Sequence, residues 1–223
     1  MIKPGAIVGT VHSPASLRVA VRIAAGAVDF LELRVDHFAE ETAPLLKAAV
    51  RFAPPLIVTV RHPAEGGQHE LTFARRRSLY AQFLPHAAAI DVELRSIRAL
   101  AGVLEQARAH RVCTIVSFHD FRATPSAARL RDIVRRAVAA GADVVKIATR
   151  ADTCRDLHRL LGLFTTKAAR PLSVMAMGQY GKVSRLLFAQ AGSVLNYAYF
   201  GTANASGQWS VAEFRRRLAE LSS

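Results

Sequence analysis

The sequence predicts one (β/α)8 barrel of the TIM type, in a short form without an N-terminal hairpin to cover its bottom. Three observations lead there. Short apolar runs alternate with longer amphipathic stretches eight times along the 223 residues. Most of the short runs are near-continuous in Val and Ile, as strands of a parallel sheet buried on both faces are. No Pro/Gly/Ser-rich linker or change of composition divides the chain, so residues 1–223 read as a single domain. The first apolar run begins almost at the N-terminus, which leaves no room for a bottom-capping hairpin. A doubly wound open sheet is the competing arrangement of the same units.

Taken in order, the strands are expected at 5–11 (GAIVGTV), 28–35 (VDFLELRV), 56–61 (LIVTVR), 88–94 (AAIDVEL), 113–119 (CTIVSFH), 142–149 (ADVVKIAT), 172–177 (LSVMAM) and 193–199 (SVLNYAY). Helices are expected at about 15–26, 40–52, 73–84, 96–110, 126–140, 152–163, 180–191 and 210–221. Ser126 after Pro125, and Asp152, stand where a side chain can cap exposed N–H groups. Gly141 follows its helix at a position that favours a left-handed residue.

Composition excludes several classes. Hydrophobic residues make up 51% and charged residues 21%, a profile that can fill a core and does not fit a disordered chain. No apolar run reaches the ~18 residues of a membrane span, and the N-terminus lacks a signal-peptide layout. A cytoplasmic protein without membrane partners is the expectation. Two cysteines, Cys113 and Cys154, give neither a disulfide framework nor a CxxC metal site. The formal charge is +13, from 30 basic and 17 acidic residues, and the basic set splits into 25 arginines and five lysines. The arginines are scattered, and their runs (75–77, 129–136, 215–217) fall in helical stretches, where solvated helix faces account for them. No motif for nucleic-acid recognition accompanies the charge, so no nucleic-acid partner is expected.

The informative residues are the ionisable ones that interrupt apolar strands. Glu32 and Arg34 lie late in strand 2, and Arg61 ends strand 3. Asp91 and Glu93 lie late in strand 4, His119 ends strand 5, and Lys146 falls in the second half of strand 6. A barrel carries its site at the C-terminal ends of its strands, so these positions converge on one mouth. Residues two apart share a side of a strand, which puts Glu32 with Arg34 and Asp91 with Glu93, facing the barrel interior. Lys146 is the most telling. A buried ammonium is costly, which favours the neutral, nucleophilic amine; the competing role is an ion pair that ties strands together. His119 suits general acid/base work. An amine can condense with a ketone to an imine, and a histidine can then take the proton from the adjacent carbon. Arg34, Arg61 and Arg185 at the same mouth fit a small anionic, hydroxylated substrate. No histidine spacing suggests zinc.

These residues fall in blocks whose order resembles the type I 3-dehydroquinate dehydratases of the shikimate pathway, over nearly the whole chain. ELRVD (32–36) is similar to the family's Glu-x-Arg-x-Asp strand, and RHPAEGG (61–67) to its Arg-x-x-x-Glu-Gly-Gly loop. IDVEL (90–94), VSFHDF (116–121) and DVVKIAT (143–149) resemble the segments that carry its histidine and Schiff-base lysine. MAMGQYGKVSR (175–185) and ANASGQ (203–208) resemble its late loops. The resemblance implies a hydro-lyase of aromatic amino acid biosynthesis that needs no cofactor or metal and converts 3-dehydroquinate to 3-dehydroshikimate. It implies that Lys146 forms the imine, that His119 moves the protons and that Glu65 orients His119. It implies further that Glu32, Arg34 and Arg61 hold the ring hydroxyls, and that Arg185 and Gln208 bind the carboxylate under a closing loop. A homodimer is implied as well.

Two departures stand out. Asn204 takes a position usually held by Ser or Thr, and Ser206 that of a proline, whose loss is expected to loosen the open loop and shift KM. His62 stands where threonine is frequent. Gly178 and Gly181 are expected to make a tight turn, Met175 and Met177 to pack near the site, Tyr197 to line it, and Tyr199 and Trp209 to serve packing. Asp91 and Glu93 are expected to be structural partners inside the barrel. Two other functions fit parts of the pattern: a Schiff-base aldolase for another keto acid, and a basic nucleic-acid-binding protein on an idle barrel.

Overall fold

The computed structural model describes residues 2–165 and 168–221. Eight parallel strands form one sheet in the order β7-β6-β5-β4-β3-β2-β1-β8, which curls into a nearly closed barrel with eight helices outside. The strands are β1 (Ala6–Val11), β2 (Phe30–Arg34), β3 (Leu56–Thr59), β4 (Ala87–Glu93), β5 (Cys113–Asp120), β6 (Val144–Arg150), β7 (Leu172–Met177) and β8 (Leu195–Tyr199). The helices are α1 (Pro14–Ala20), α2 (Ala43–Ala49), α3 (Phe73–Phe83), α4 (Ala101–Ala109), α5 (Ala127–Ala139), α6 (Cys154–Leu161), α7 (Gly181–Gln190) and α8 (Val211–Leu221).

The period of two sorts the strand residues. Ala6 and Val8 of β1, Ile57, Ala89, Ile115, Val144 and Met175 pack together as the interior of the barrel. Their neighbours, including Ile7, Leu31, Leu33, Val58, Ile90 and Val92, join Phe83, Leu104 and Phe214 in a core under the helices. A second outer core gathers Val116, Val145, Ile147 and Val174 with Leu130, Ile133 and Phe188. Every strand thus gives one face to the interior and one to the helices. Gly9 faces outward because a Cβ there would lie 2.4 Å from the Phe200 ring.

Closure between β7 and β8 has a different chemistry from the other seams. Here Val194 N donates to Leu172 O (2.9 Å). Ser193 Oγ accepts from Val174 N (3.1 Å), and Ser173 Oγ donates to Leu195 O (2.6 Å). Two serines do there what backbone ladders do elsewhere.

The elements differ from expectation mainly at their ends. α1 stops at Ala20 instead of 26, α2 spans 43–49 instead of 40–52, and 3-10 turns take over at Val35–Phe38 and Leu94–Ser96. β3 ends at Thr59, so Arg61 lies two residues beyond the strand. Ser126 caps α5 as expected, accepting from Arg129 N, and Gly141 has φ 85°. Asp152 does not cap α6. Thr153 does, in a reciprocal pair with Asp156, while Asp152 accepts from Gln179 N and pairs with Arg150. Cys113 lies at the start of β5 with burial pushing its thiol up to about 11, and Cys154 is exposed on α6. No helix among the described residues is long and apolar enough to cross a membrane.

The run 75–77 is not uniformly solvated. Arg75 and Arg77 are exposed, but Arg76 is wholly buried. Its guanidinium donates to Val60 O, to Ser96 Oγ (2.9 Å) and to Glu93 Oε2 (2.7 Å). Removing one partner of a buried pair strands the other charge, which costs about 3–5 kcal/mol. Glu93 keeps Arg61 (3.3 Å) and the His62 amide (2.8 Å), so Arg76→Leu is expected to lower the unfolding free energy by somewhat less than that, read from equilibrium denaturation.

Candidate active site

Interior residues change from apolar to polar toward the C-terminal ends of the strands, and there they enclose a cavity of ≈ 140 Å³. All nine predicted residues line it: Glu32, Arg34, Arg61, Glu65, His119, Lys146, Arg185, Asn204 and Gln208. Thr10, Met175, Met177, Tyr197 and Phe121 also belong to the wall.

Lys146 is 4% exposed on β6, beside Ser117 of β5 and Ser173 of β7. Its Nζ lies 2.9 Å from Asp91 Oδ2, 3.5 Å from Glu32 Oε1 and 3.8 Å from the centroid of the Tyr197 ring. Lys146 thus ties β6 to β2 and β4, and it also lines the cavity. Two threonines on flanking strands hold Glu32. Thr10 Oγ1 donates to Oε2 (3.2 Å) and Thr59 Oγ1 to Oε1 (3.0 Å). Asp91 is gripped in bidentate fashion by Arg61 (3.0 and 2.8 Å) and stays well below the usual carboxylate range, against the burial that would raise it. Arg61 also donates to Ser117 Oγ (2.7 Å) and pairs with Glu93 (3.3 Å). Asp91 and Glu93 are structural partners, as expected, and Asp91 is in addition the acid nearest the lysine.

The turn after β3 sets the second group. Pro63–Glu65 form a 3-10 turn that starts at His62 and ends on Gly66 at φ 87°. His62 N donates to Glu93 Oε1 (2.8 Å), which fastens the turn to the barrel. Glu65 is thereby aimed at His119: its Oε2 accepts from His119 N (2.9 Å) and lies 3.0 Å from His119 Nδ1. Burial pushes the Glu65 carboxyl up to about 7. Burial, together with the Arg61 and Lys146 cations, holds the His119 imidazole well below its ordinary value. A neutral imidazole with Nδ1–H toward Glu65 presents a bare Nε2. Phe121 stacks beside the His119 ring (6.5 Å, 15°).

The third group forms the opposite end. Arg185 of α7 is 2% exposed, and its donors go to two carbonyls, Gly207 O and Tyr197 O (3.0 Å each). No acid pairs with it among the described residues, and burial brings it down to about 10. Its charge is thus left uncompensated at the cavity. The 203–208 loop lies over it. Gln208 Oε1 accepts from Asn204 N (3.0 Å) and Ala205 N (3.3 Å), and Gly207 meets Gly181 so closely that a Cβ on Gly181 would lie 2.6 Å from the Gly207 Cα. Ser206 supplies a tie of its own, accepting from Gly178 N (3.0 Å). The loop expected to loosen without proline is fastened to the α7 turn by that hydroxyl. Asn204 Oδ1 is buried without a partner.

Arg34 is largely committed as well, in a bidentate pair with Asp36 (2.9 and 2.7 Å) and a bond to Gly66 O (2.7 Å). Sequence reasoning missed Thr10, Thr59 and Ser117, which position Glu32 and Arg61. Their only signal is that they fall on the inward period of their strands. Trp209 packs against the outer core as expected, with its Nε1 donating to Lys182 O, and Tyr199 N donates to Trp209 O.

A buried amine, an imidazole beside a carboxyl group and an unpaired guanidinium thus gather in the mouth of an eight-stranded parallel barrel, the place where enzymes of the (β/α)8-barrel class carry their sites. A family model, type I 3-dehydroquinase, matches residues 7–223. The chain belongs to the type I 3-dehydroquinase family. It is 36% identical over 218 residues to a 3-dehydroquinate dehydratase of Thermococcus gammatolerans, covering 96% of this chain and 98% of that one. Its structure is similar to a type I 3-dehydroquinate dehydratase of Clostridium difficile with covalently modified comenic acid, at TM-score 0.87, 26% identity and coverage of 99% and 93%. It is also similar to the Geobacillus kaustophilus 3-dehydroquinate dehydratase, at TM-score 0.87, 29% identity and coverage of 97% and 91%.

Proposed function

We propose that the chain dehydrates 3-dehydroquinate to 3-dehydroshikimate in the shikimate pathway, through an imine on Lys146 with His119 as general acid and base. The observation that carries the reading is the convergence of Lys146, His119 and Arg185 on one cavity. Arg185 and the Gln208 amide grip the carboxylate and orient the ring. The Lys146 amine adds to the C3 ketone and expels water, leaving an iminium whose charge lies under the Tyr197 ring and beside Asp91 and Glu32. The iminium acidifies C2, and His119 Nε2 takes the proton. The enamine expels the C1 hydroxyl, which leaves as water with the proton that His119 returns. Hydrolysis of the conjugated imine frees the product and Lys146, so the net loss is one water. No metal or organic cofactor enters the reading. We take the enzyme as a cytoplasmic homodimer, after the family resemblance.

The test is the rise in ultraviolet absorbance of the conjugated enone when 3-dehydroquinate is added. A protein that leaves the absorbance unchanged but cleaves another keto acid is an aldolase instead. The Glu65–His119 pair also fixes a pH dependence. Above about 7 Glu65 is ionised and accepts Nδ1–H, which leaves Nε2 free as base. Below that it carries its proton and the support is lost. kcat/KM is expected to fall as the pH drops through about 7. In Glu65→Gln that limb disappears and the rate falls about 10- to 100-fold, measured as a pH–rate profile.

A further inference from the structure

We propose a second anion site on the outer side of the Glu65–His119 wall, built for a polyanion of the di- or triphosphate class. A pocket of about 400 Å³ lies between the segment after β4 and α5. It shares Glu65, His119 and Phe121 with the inner cavity, so the same three side chains are the wall of both. Four guanidiniums surround it: Arg95, Arg122, Arg129 and Arg136.

These arginines differ from those of α8 in how far carboxylates offset their charge. On α8, Arg216 and Arg217 pair with Glu213 and Glu220, so that helix face is neutralised locally. Around the pocket, Arg95 and Arg122 have no side-chain hydrogen bond or ion pair among the described residues. Both carboxylates in the lining are turned to other groups: Asp120 accepts from Arg122 N (2.9 Å) and Ala123 N (3.1 Å), and Glu65 is held by His119. Asp132 lies outside the lining and spreads over three guanidiniums, near Arg129 (3.0 Å), Arg136 (4.0 Å) and Arg135. The pocket keeps an excess of fork-shaped donors, the geometry that phosphate oxygens accept.

Spacing selects the length of the anion. Arg129 and Arg136 are seven residues apart on one face of α5, with Ile133 between them at the pocket floor. Their Cα atoms are separated by about 10 Å of helix rise. One tetrahedral phosphate is too small to engage that span together with Arg95 and Arg122 across the pocket, whereas a chain of two or three phosphates is long enough. A ligand there would meet the back of His119 without occupying the substrate cavity.

Isothermal titration of the full chain with tripolyphosphate, pyrophosphate and orthophosphate tests the site. Saturable binding is expected to strengthen from orthophosphate to tripolyphosphate, and Arg95→Ala/Arg122→Ala is expected to weaken the last about tenfold or more. Arg216→Ala/Arg217→Ala, an equal loss of positive charge on α8, should change it by less than about twofold. Both double variants keep the basal dehydration rate. Tripolyphosphate is expected to shift the His119 imidazole resonances of the wild-type protein. Equal weakening in the two double variants, equal affinity for orthophosphate, unmoved His119 resonances or the absence of saturable binding would each overturn the proposal. The binding arms need no substrate, so their failure is separate from a failure of the dehydratase reading.

Discussion

Lys146→Ala is expected to reduce kcat by about 10⁴-fold or more, because it removes the atom proposed to form the imine and no other amine among the described residues lines the cavity. The same replacement should abolish the covalent adduct that borohydride traps from the wild-type protein and 3-dehydroquinate, read by mass spectrometry at the Lys146 peptide. Wild-type protein that turns over substrate yet stays unmodified would remove the imine from the mechanism. The variant should fold. Asp91 keeps the bidentate Arg61 pair and Glu32 keeps the Thr10 and Thr59 hydroxyls, so neither acid is left bare. The loss of stability should stay below the ~3–5 kcal/mol of a fully stranded buried charge.

His119→Ala separates the two chemical jobs. In the proposed reaction imine formation needs the amine and C2 deprotonation the imidazole, so the variant should still give the borohydride adduct. Turnover should fall by about 10²- to 10⁴-fold, the range a positioned general base contributes. The measurement is single-turnover product formation beside adduct yield. An undiminished rate would take histidine out of the role, and a lost adduct would show that the ring also builds the amine's surroundings.

The contrast between residue type and neighbourhood made part of the site legible in the sequence. A lysine inside DVVKIAT or a Glu-x-Arg pair inside VDFLELRV conflicts with burial unless the barrel interior receives it, and all of these face that interior. Glu65 was reachable only through the family resemblance, because its aim depends on the Pro63–Glu65 turn and on the His62 amide seated on Glu93. Arg76 was misread as a solvated member of an arginine run, since a sequence does not show that Glu93 and Val60 O wait behind α3 for a cation. Thr10, Thr59 and Ser117 went unseen because their residue types are ordinary in strands. Helix lengths were overdrawn at α1 and α2, where turns and irregular backbone of helix-like composition take over at 21–26, 40–42 and 50–52, and at α4, where a 3-10 turn precedes the helix.

The serine-bridged seam between β7 and β8 divides the labour of the barrel. Lys146 and the acids around it sit on β2, β4 and β6, within the uninterrupted run of ladders. Arg185 and the 203–208 loop follow β7 and β8, the strands on either side of the seam. In the proposed reaction the group that grips the carboxylate therefore stands beside the seam, and the groups that make and break bonds stand where the ladders are continuous. The two duties fall on different sides of the barrel, and Ser173 and Ser193 help to join them.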